Sequence, residues 1–179
     1  DGLFMTSRDG LTFRRWDEAF LRPGPEPEGR WIYGDNYQSY GLFETEADAP
    51  GHTKEISLHF NEGSWRDEIH RLRRYTIRLD GFVSIHAPLS RGEMTTKPIK
   101  FTGNRLSLNY ATSAAGSLRV EIQDAAGTPL PGFTLGDSDE LFGDSVDQNA
   151  GWNGSADVSS LAGKDVRLRF VLSDGDLFS

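Results

Sequence analysis

The chain has 179 residues, with 19 basic and 27 acidic side chains and a formal net charge of -8. This length suits one large domain or two small ones with a sizeable core. The acidic balance argues against a nucleic-acid backbone or an anionic membrane surface as partner, and no apolar run reaches the length of a membrane span. The absence of cysteine excludes disulfides and thiol chemistry; the compartment stays open, a secreted or periplasmic one included.

The first predicted element is a hairpin at the start of the chain. The stretch SRDGLTF at 7–13 contains Asp9 and Gly10, of which glycine allows positive φ and aspartate caps the turn with its carboxylate. Residues 3–5 and Phe13 supply the flanking strands. Because a single hairpin cannot bury both of its faces, we expect it to belong to a larger β-structure.

The following segment, up to about residue 80, is rich in aromatic side chains. Residues 22–29 (RPGPEPEG) read as an exposed, stiff loop, and strands are predicted over 40–45 and 54–60. A domain boundary is expected near residues 74–82.

The second half alternates apolar and polar residues, as half-buried strands do. Strands are predicted at four places: 82–87, 105–110, 117–124 and 166–172. Glycine-rich turns separate them, which favours two antiparallel sheets packed as a β-sandwich. The alternation leaves Arg119 and Arg167 outside. It predicts one common core: Leu106, Leu108, Leu118, Val120, Ile122, Leu168 and Phe170.

Stretches spread over essentially the whole chain carry a resemblance to a known class of protein. They are MTSRDGLTFRRW, WIYGDNYQSYGLFET, KEISLHF, RLRRYTIRLDGFVSIHA, TKPIKFTG, LNYATSAAGSLRVEIQDAAGTPLPGF and VRLRFVLSDGDLFS. Together they resemble the C-terminal portion of bacterial proteins similar to glycoside hydrolase families 32 and 43, which join a five-bladed β-propeller to a C-terminal β-sandwich. In that class the S-x-D-G-x-x-[FW] hairpin is an outer turn of a propeller blade.

The resemblance implies an all-β chain in which residues 1–80 form an incomplete last blade and residues 81–179 form the sandwich that supports the propeller. Carbohydrate and the upstream blades of the same protein would then be its partners. Two departures from the class stand out, since four blades are missing at the front and the chain stops where one more strand is expected. Because an isolated blade has two faces to cover, we expect Phe13, Trp16 and Trp31 to be buried against the sandwich or another subunit.

Glycosidases need two carboxyl groups about 5 to 10 Å apart across the sugar. In the propeller relatives the nucleophile or base lies in the first blade, so the resemblance implies that this chain alone is inactive. Glu55, which opens a predicted strand, is the candidate for a remaining catalytic carboxylate. The alternative is that Glu55 is an exposed residue at a strand edge. Glu62 is predicted to be a turn residue.

Sugar binding needs an aromatic ring that stacks on a pyranose and polar groups that bond its hydroxyls. Candidates of both kinds cluster within ten residues: Trp31, Tyr33, Asp35, Asn36, Tyr37 and Tyr40. Trp65 follows them. The alternative is a blade core with ordinary turn residues. Trp152 is predicted to be a loop plug against the sheet rather than a ligand platform.

No cofactor or metal site is predicted. The stretch GDSDELFGDSVD places four aspartates close together, at 137, 139, 144 and 147. Its spacing fails the EF-hand pattern, because Phe142 and Gln148 occupy the sixth and twelfth positions. An irregular Ca²⁺ site remains an alternative to a solvated acidic loop. The four histidines lack zinc-site spacing, and no nucleotide-binding or serine-hydrolase motif is present.

The arginines of 70–75 are predicted to bind carboxylates of a neighbouring domain rather than phosphate. Two functions therefore stand for the chain as a whole. It is the C-terminal portion of a glycoside-hydrolase-like protein, or it is a non-catalytic carbohydrate-binding or structural β-module.

Overall fold

A computed structural model describes residues 2–24, 31, 35–64 and 70–179. Within these residues the regular elements are β-strands and one short 3-10 turn, Ser159–Leu161. The strands form antiparallel sheets, none of which is closed, so the prediction of an all-β chain is confirmed. No helix in the described ranges is long and apolar enough to cross a membrane.

The strands form three sheets. β1 pairs with β2, and β3, β4 and β5 are adjacent in that order. The third sheet has the order β6-β10-β8-β9, and β7 also pairs with β10. In chain order the strands are β1 Gly2–Ser7, β2 Phe13–Leu21, β3 Phe43–Glu46, β4 Lys54–Glu62, β5 Arg71–Arg78, β6 Ile85–Ala87, β7 Gly92–Thr95, β8 Ser107–Asp124, β9 Asp144–Asn149 and β10 Val166–Leu177.

The chain divides into two compact units. The first consists of Asp1–Glu46 and Lys54–Ile77, and the second of Ala47–Thr53 and Arg78–Ser179. This division falls near the predicted boundary at residue 80. The loop between β3 and β4 nevertheless belongs to the second unit, and the local sequence does not indicate this assignment. That the two units are a propeller blade and a sandwich stays a prediction.

In the first unit, β1 and β2 form the predicted hairpin. Ser7 pairs with Phe13 at its end, so the loop is longer than the two-residue turn that Asp-Gly favours. The reason is the Asp9 carboxylate, whose Oδ1 accepts from the Thr12 backbone N–H at 2.7 Å and from the Ser7 hydroxyl at 2.9 Å. These hydrogen bonds, the one from Thr12 first, hold the pKa of Asp9 well below its usual range. Gly10 has φ +72°.

For two of the three aromatic residues expected to be buried, the chain itself does not bury the ring, and burial against another subunit stays a prediction. Phe13 is 56% exposed and Trp31 is 66% exposed. Trp16 is half-buried, and its ring centroid lies 6.3 Å from that of Phe4. The hairpin buries part of one aromatic face and leaves other rings at the surface.

In the second unit, the strands predicted at 105–110 and 117–124 are two parts of one strand, β8. Residues 113–116 bulge between them opposite Asp174 of β10. A Cβ at Gly116 would lie 2.5 Å from the Asp174 carbonyl oxygen, so the bulge requires glycine at that position.

The predicted core of the second unit is confirmed. Six of its seven residues are buried in one cluster, and Leu106 packs against that cluster. Arg119 and Arg167 are partly exposed, as the alternation predicts. Trp152 is buried and its Nε1 donates to the Val120 carbonyl oxygen at 2.9 Å, which confirms it as a plug.

The layering of this unit differs from the prediction of two sheets. Its described strands belong to one hydrogen-bonded sheet. Irregular segments pack against the same core in place of a second sheet: their backbones are joined where Val158 donates to Asn104 at 3.0 Å and Gly163 donates to Phe101 at 2.9 Å. The architecture is therefore sandwich-like, with one regular and one irregular layer.

Candidate functional site

Three aromatic residues of segment 31–40 lie at the surface of the first unit. Trp31 and Tyr37 are exposed, and Tyr40 is fully exposed. These three rings therefore do not belong to a core within this chain. Tyr33 and Trp65 lie outside the described residues.

The polar residues of the same segment are buried instead. Asp35 is 7% exposed, and its Oδ1 accepts from the Ser64 backbone N–H at 2.7 Å. Its Oδ2 is buried without a hydrogen-bond partner. Asn36 has φ +60°, which asparagine tolerates better than most residues, and its N–H donates to the Asn61 carbonyl at 2.8 Å. Asp35 and Asn36 thus anchor the segment beside the end of β4.

Glu55, the candidate catalytic carboxylate, takes part in a polar cluster across β3, β4 and β5. Its Oε1 accepts from Arg74 at 2.7 Å. Arg74 also donates to Ser57 Oγ at 2.8 Å and to Thr45 Oγ1 at 3.1 Å. The ion pair with Arg74 gives Glu55 a structural role between β4 and β5. A catalytic role for Glu55 stays a prediction.

Glu62 is not a turn residue, and that prediction is wrong. It ends β4 with its side chain only 1% exposed, and its Oε2 accepts from Arg71 at 2.7 Å and from Arg73 at 3.2 Å. Its Oε1 accepts from the Tyr75 hydroxyl. Residues 71, 73 and 75 are alternate positions of β5 and therefore face the same side.

The arginines of β5 bind carboxylates, as predicted, but within their own unit rather than in a neighbouring domain. Glu62 follows Glu55 by seven positions on β4, an odd offset, so their side chains leave opposite faces of the strand. Their partners, Arg74 and Tyr75, alternate in the same way. These two carboxylates therefore do not face each other across one site, as the pair in a glycosidase must.

The second unit contains a polar cluster centred on Arg78, which sequence reasoning missed. Arg78 Nη1 donates to Asp144 Oδ1 at 2.7 Å and its Nε donates to Asn109 Oδ1 at 2.9 Å. The guanidinium lies 4.2 Å from the ring centroid of Phe178. His52 Nε2 lies 2.9 Å from the same Asp144 oxygen, which explains why the loop 47–53 belongs to this unit.

The four aspartates of the acidic stretch have separate partners. Asp137 accepts from Thr134, and Asp139 accepts from the backbone N–H of Gly154. Asp144 binds Arg78, and Asp147 accepts from the Ser107 hydroxyl. Among the described residues no group of three His, Cys, Asp or Glu side chains is placed to hold a metal ion. The irregular Ca²⁺ site gains no support from this geometry.

No family model, curated protein or solved structure matches the chain. The resemblance to glycoside hydrolase families 32 and 43 therefore remains a prediction.

Proposed function

We propose that this chain is the C-terminal portion of a carbohydrate-active protein of the glycoside hydrolase 32/43 type, and that its first unit binds carbohydrate through segment 31–40. The observation that supports this proposal is the exposure of Trp31, Tyr37 and Tyr40 in one short segment. Exposed aromatic rings stack on the apolar faces of pyranoses. Asp35 anchors the segment and retains one carboxylate oxygen without a hydrogen-bond partner.

Binding and catalysis separate in this proposal. Stacking alone gives an affinity of roughly millimolar, near -4 kcal/mol. A non-catalytic carbohydrate-binding or structural module is the second candidate, and the ion pair between Glu55 and Arg74 favours it. Glu55 is the candidate catalytic carboxylate, and its ion pair with Arg74 occupies it. Glu62 is buried on the other face of β4. We therefore expect no turnover from the chain alone.

The test is a titration of the 179-residue chain with neutral mono- and oligosaccharides, followed by calorimetry and tryptophan fluorescence. Trp31→Ala should weaken binding about three- to tenfold. The matched control is Phe142→Ala, which removes an exposed ring of the second unit and should leave binding unchanged. If no neutral sugar binds, the carbohydrate-binding proposal fails and a structural role is left.

A hydrolysis assay on aryl glycosides and fructans tests the catalytic part separately. The chain and its Glu55→Gln variant should both be inactive. Hydrolysis by the chain that is abolished in Glu55→Gln would show that Glu55 is catalytic and that the site is more complete than its two opposed carboxylates suggest.

A further inference from the structure

The β1–β2 hairpin carries a groove that the aromatic segment 31–40 does not share. Its volume is about 630 Å³, within the range of ligand pockets, roughly 300–1,000 Å³. Both strands and the turn contribute to its walls. The lining residues that matter for binding are Thr6, Thr12, Arg8, Arg14, Phe13 and Trp16.

Arg8 and Arg14 in this groove have no carboxylate partner among the described residues. Both side chains are exposed, and the contact that Arg14 makes is with an aromatic ring, its Cζ lying 4.7 Å from the centroid of Trp16. The carboxylate nearest in sequence, Asp9, is occupied by its own turn.

The chain has 27 acidic residues and a net charge of -8. Among the described residues, these two guanidiniums share the lack of a carboxylate partner with five other arginines: Arg15, Arg22, Arg91, Arg105 and Arg167. Other arginines of both units form ion pairs with carboxylates: Arg71, Arg73, Arg74, Arg78, Arg119 and Arg169. A guanidinium presents a planar set of donors that matches a carboxylate. Arg8 and Arg14 are therefore available for a carboxylate that the chain itself does not supply.

The same groove offers aromatic surface and hydroxyl groups. Phe13 is exposed and Trp16 is half-buried, with its Nε1 bonded to Thr6 Oγ1 at 3.4 Å. The hydrogen bonds of Asp9 fix the turn at one end of the groove, so the groove is formed before a ligand arrives. Ring faces, hydroxyls and guanidiniums together are the groups that recognise a sugar bearing a negative charge.

We propose that the hairpin groove binds an acidic oligosaccharide, one that contains uronic acid residues. Arg8 and Arg14 bind its carboxylates, and the ring of Trp16, which leaves β2 on the same face as Arg14, packs on a pyranose ring. This inference rests on the proposed carbohydrate-binding function and names a class of sugar and a second site for it.

The experiment uses the full chain and two ligands of matched size, a galacturonic acid trisaccharide and its methyl ester, followed by calorimetry at low and high salt. The acid should bind about tenfold more tightly than the ester, and this difference should shrink at high salt. Arg8→Gln and Arg14→Gln should each weaken binding of the acid about tenfold. Arg105→Gln is the matched control, because Arg105 is also exposed, belongs to the second unit and does not line the groove.

Equal binding of acid and ester, or wild-type binding by Arg14→Gln, would overturn the proposal. So would a single-stranded oligonucleotide of equal charge that binds as tightly as the trisaccharide, because the groove would then recognise charge and not a sugar. Should Arg14→Gln fail to fold, Arg14→Lys keeps the charge and removes the planar fork, and it should bind the acid with intermediate affinity.

The Trp31→Ala variant separates this inference from the proposed function. Acid binding that survives Trp31→Ala and is lost in Arg14→Gln supports the hairpin groove even if no neutral sugar binds at segment 31–40. In the opposite pattern, Trp31→Ala abolishes binding of neutral sugars and the acid binds no better than its ester. That result contradicts acid binding in the hairpin groove and leaves the proposed function intact.

Discussion

The two units of this chain are stabilised in different ways. The second unit buries fifteen residues in one apolar cluster, whereas the buried large apolar residues of the described first unit are Leu58 and Phe60. The described first unit also buries four polar or charged residues, Asp35, Asn36, Ser57 and Glu62. Since burial of apolar area is the dominant stabilising contribution, the second unit holds most of the stability of the chain.

The exposed surfaces differ in the opposite direction. Ten large apolar side chains are exposed in the described part of the first unit, from Leu3 to Leu72, and four in the second. The described first unit therefore leaves more of its large apolar side chains at the surface, while the second unit gathers them in one core.

The largest expected effect tests that difference with two tryptophans. Trp152→Ala should destabilise the second unit by about 3–5 kcal/mol, because it removes a buried ring that packs 5.3 Å from Phe133 and a hydrogen bond to Val120. Trp31→Ala should change stability by no more than about 0.5 kcal/mol, since Trp31 is exposed. Chemical denaturation with hydrogen exchange of β8 and β10 measures both. Equal effects would show that the second unit does not depend on its apolar core.

The Arg78 cluster should give the next largest effect. Arg78→Met removes the donors to Asp144 and Asn109; Asn109 Oδ1 loses its donor and Asp144 keeps His52 as its partner, which should cost the second unit about 2–4 kcal/mol. The matched control is Arg105→Met, because Arg105 is exposed and its loss should cost about 0.5 kcal/mol or less. Hydrogen exchange of β9 and of the loop 47–53 reports the change. Unchanged protection there would mean that Arg78 does not hold these segments.

Two carboxylates of β4 test how the first unit is stabilised, because ion pairs there take the place of buried apolar side chains. Glu62→Gln should destabilise the first unit by about 1–2 kcal/mol, because it removes a buried charge that pairs with Arg71 and Arg73. Glu55→Gln should cost less, about 0.5–1 kcal/mol, since Glu55 is more exposed and has Arg74 as its ion-pair partner.

Hydrogen exchange of β4 and β5, with β8 and β10 as an internal reference, measures the pair of variants. The second unit should not respond to either substitution. A larger effect of Glu55→Gln than of Glu62→Gln would contradict the ranking by burial, and equal protection loss in both units would contradict their independence.

The strands and core of the second unit could be predicted because alternation is a local property. Leu118, Val120 and Ile122 repeat every second residue, and that spacing determines which face of β8 they occupy. The joining of two predicted strands into β8 could not be predicted in this way. It depends on the bulge at 113–116, which is accommodated by Asp174 of a strand far along the chain.

For the candidate site, the sequence indicates which residue types are present but not which of them are buried. Composition shows the aromatic residues of segment 31–40, but it does not show that Trp31 is exposed while Asp35 is buried. The prediction that Glu62 is a turn residue was wrong because its hydrogen-bond donors, among them Arg71, lie on the next strand, β5. The sequence around Glu62 does not show that pairing. His52 and Asp144 are 92 positions apart, and no local pattern indicates such a contact.

The smallest expected effect is a dependence of the second unit on pH. Burial acts to raise the pKa of Asp144, but the hydrogen bond with His52 and the charge of Arg78 outweigh it, so the pKa lies below its ordinary value of 3.8. A carboxyl whose pKa is lowered in the folded state stabilises that state above the unfolded pKa, and the contribution is lost as pH falls through the folded pKa.

We therefore expect acid, below about pH 4, to weaken the second unit through Asp144, while neutral and alkaline pH leave this contribution intact. The Asp144 side chain is 51% exposed, so solvent screening should limit the effect to about 0.5 kcal/mol. The measurement is the free energy of unfolding against pH for the wild type, Asp144→Asn and the control Asp165→Asn, whose carboxylate is exposed and lies 3.7 Å from Lys100. Asp144→Asn should flatten the acid limb, and the control should not. A steeper loss of stability in acid for Asp144→Asn than for the wild type would show that the charged form of Asp144 does not stabilise the fold.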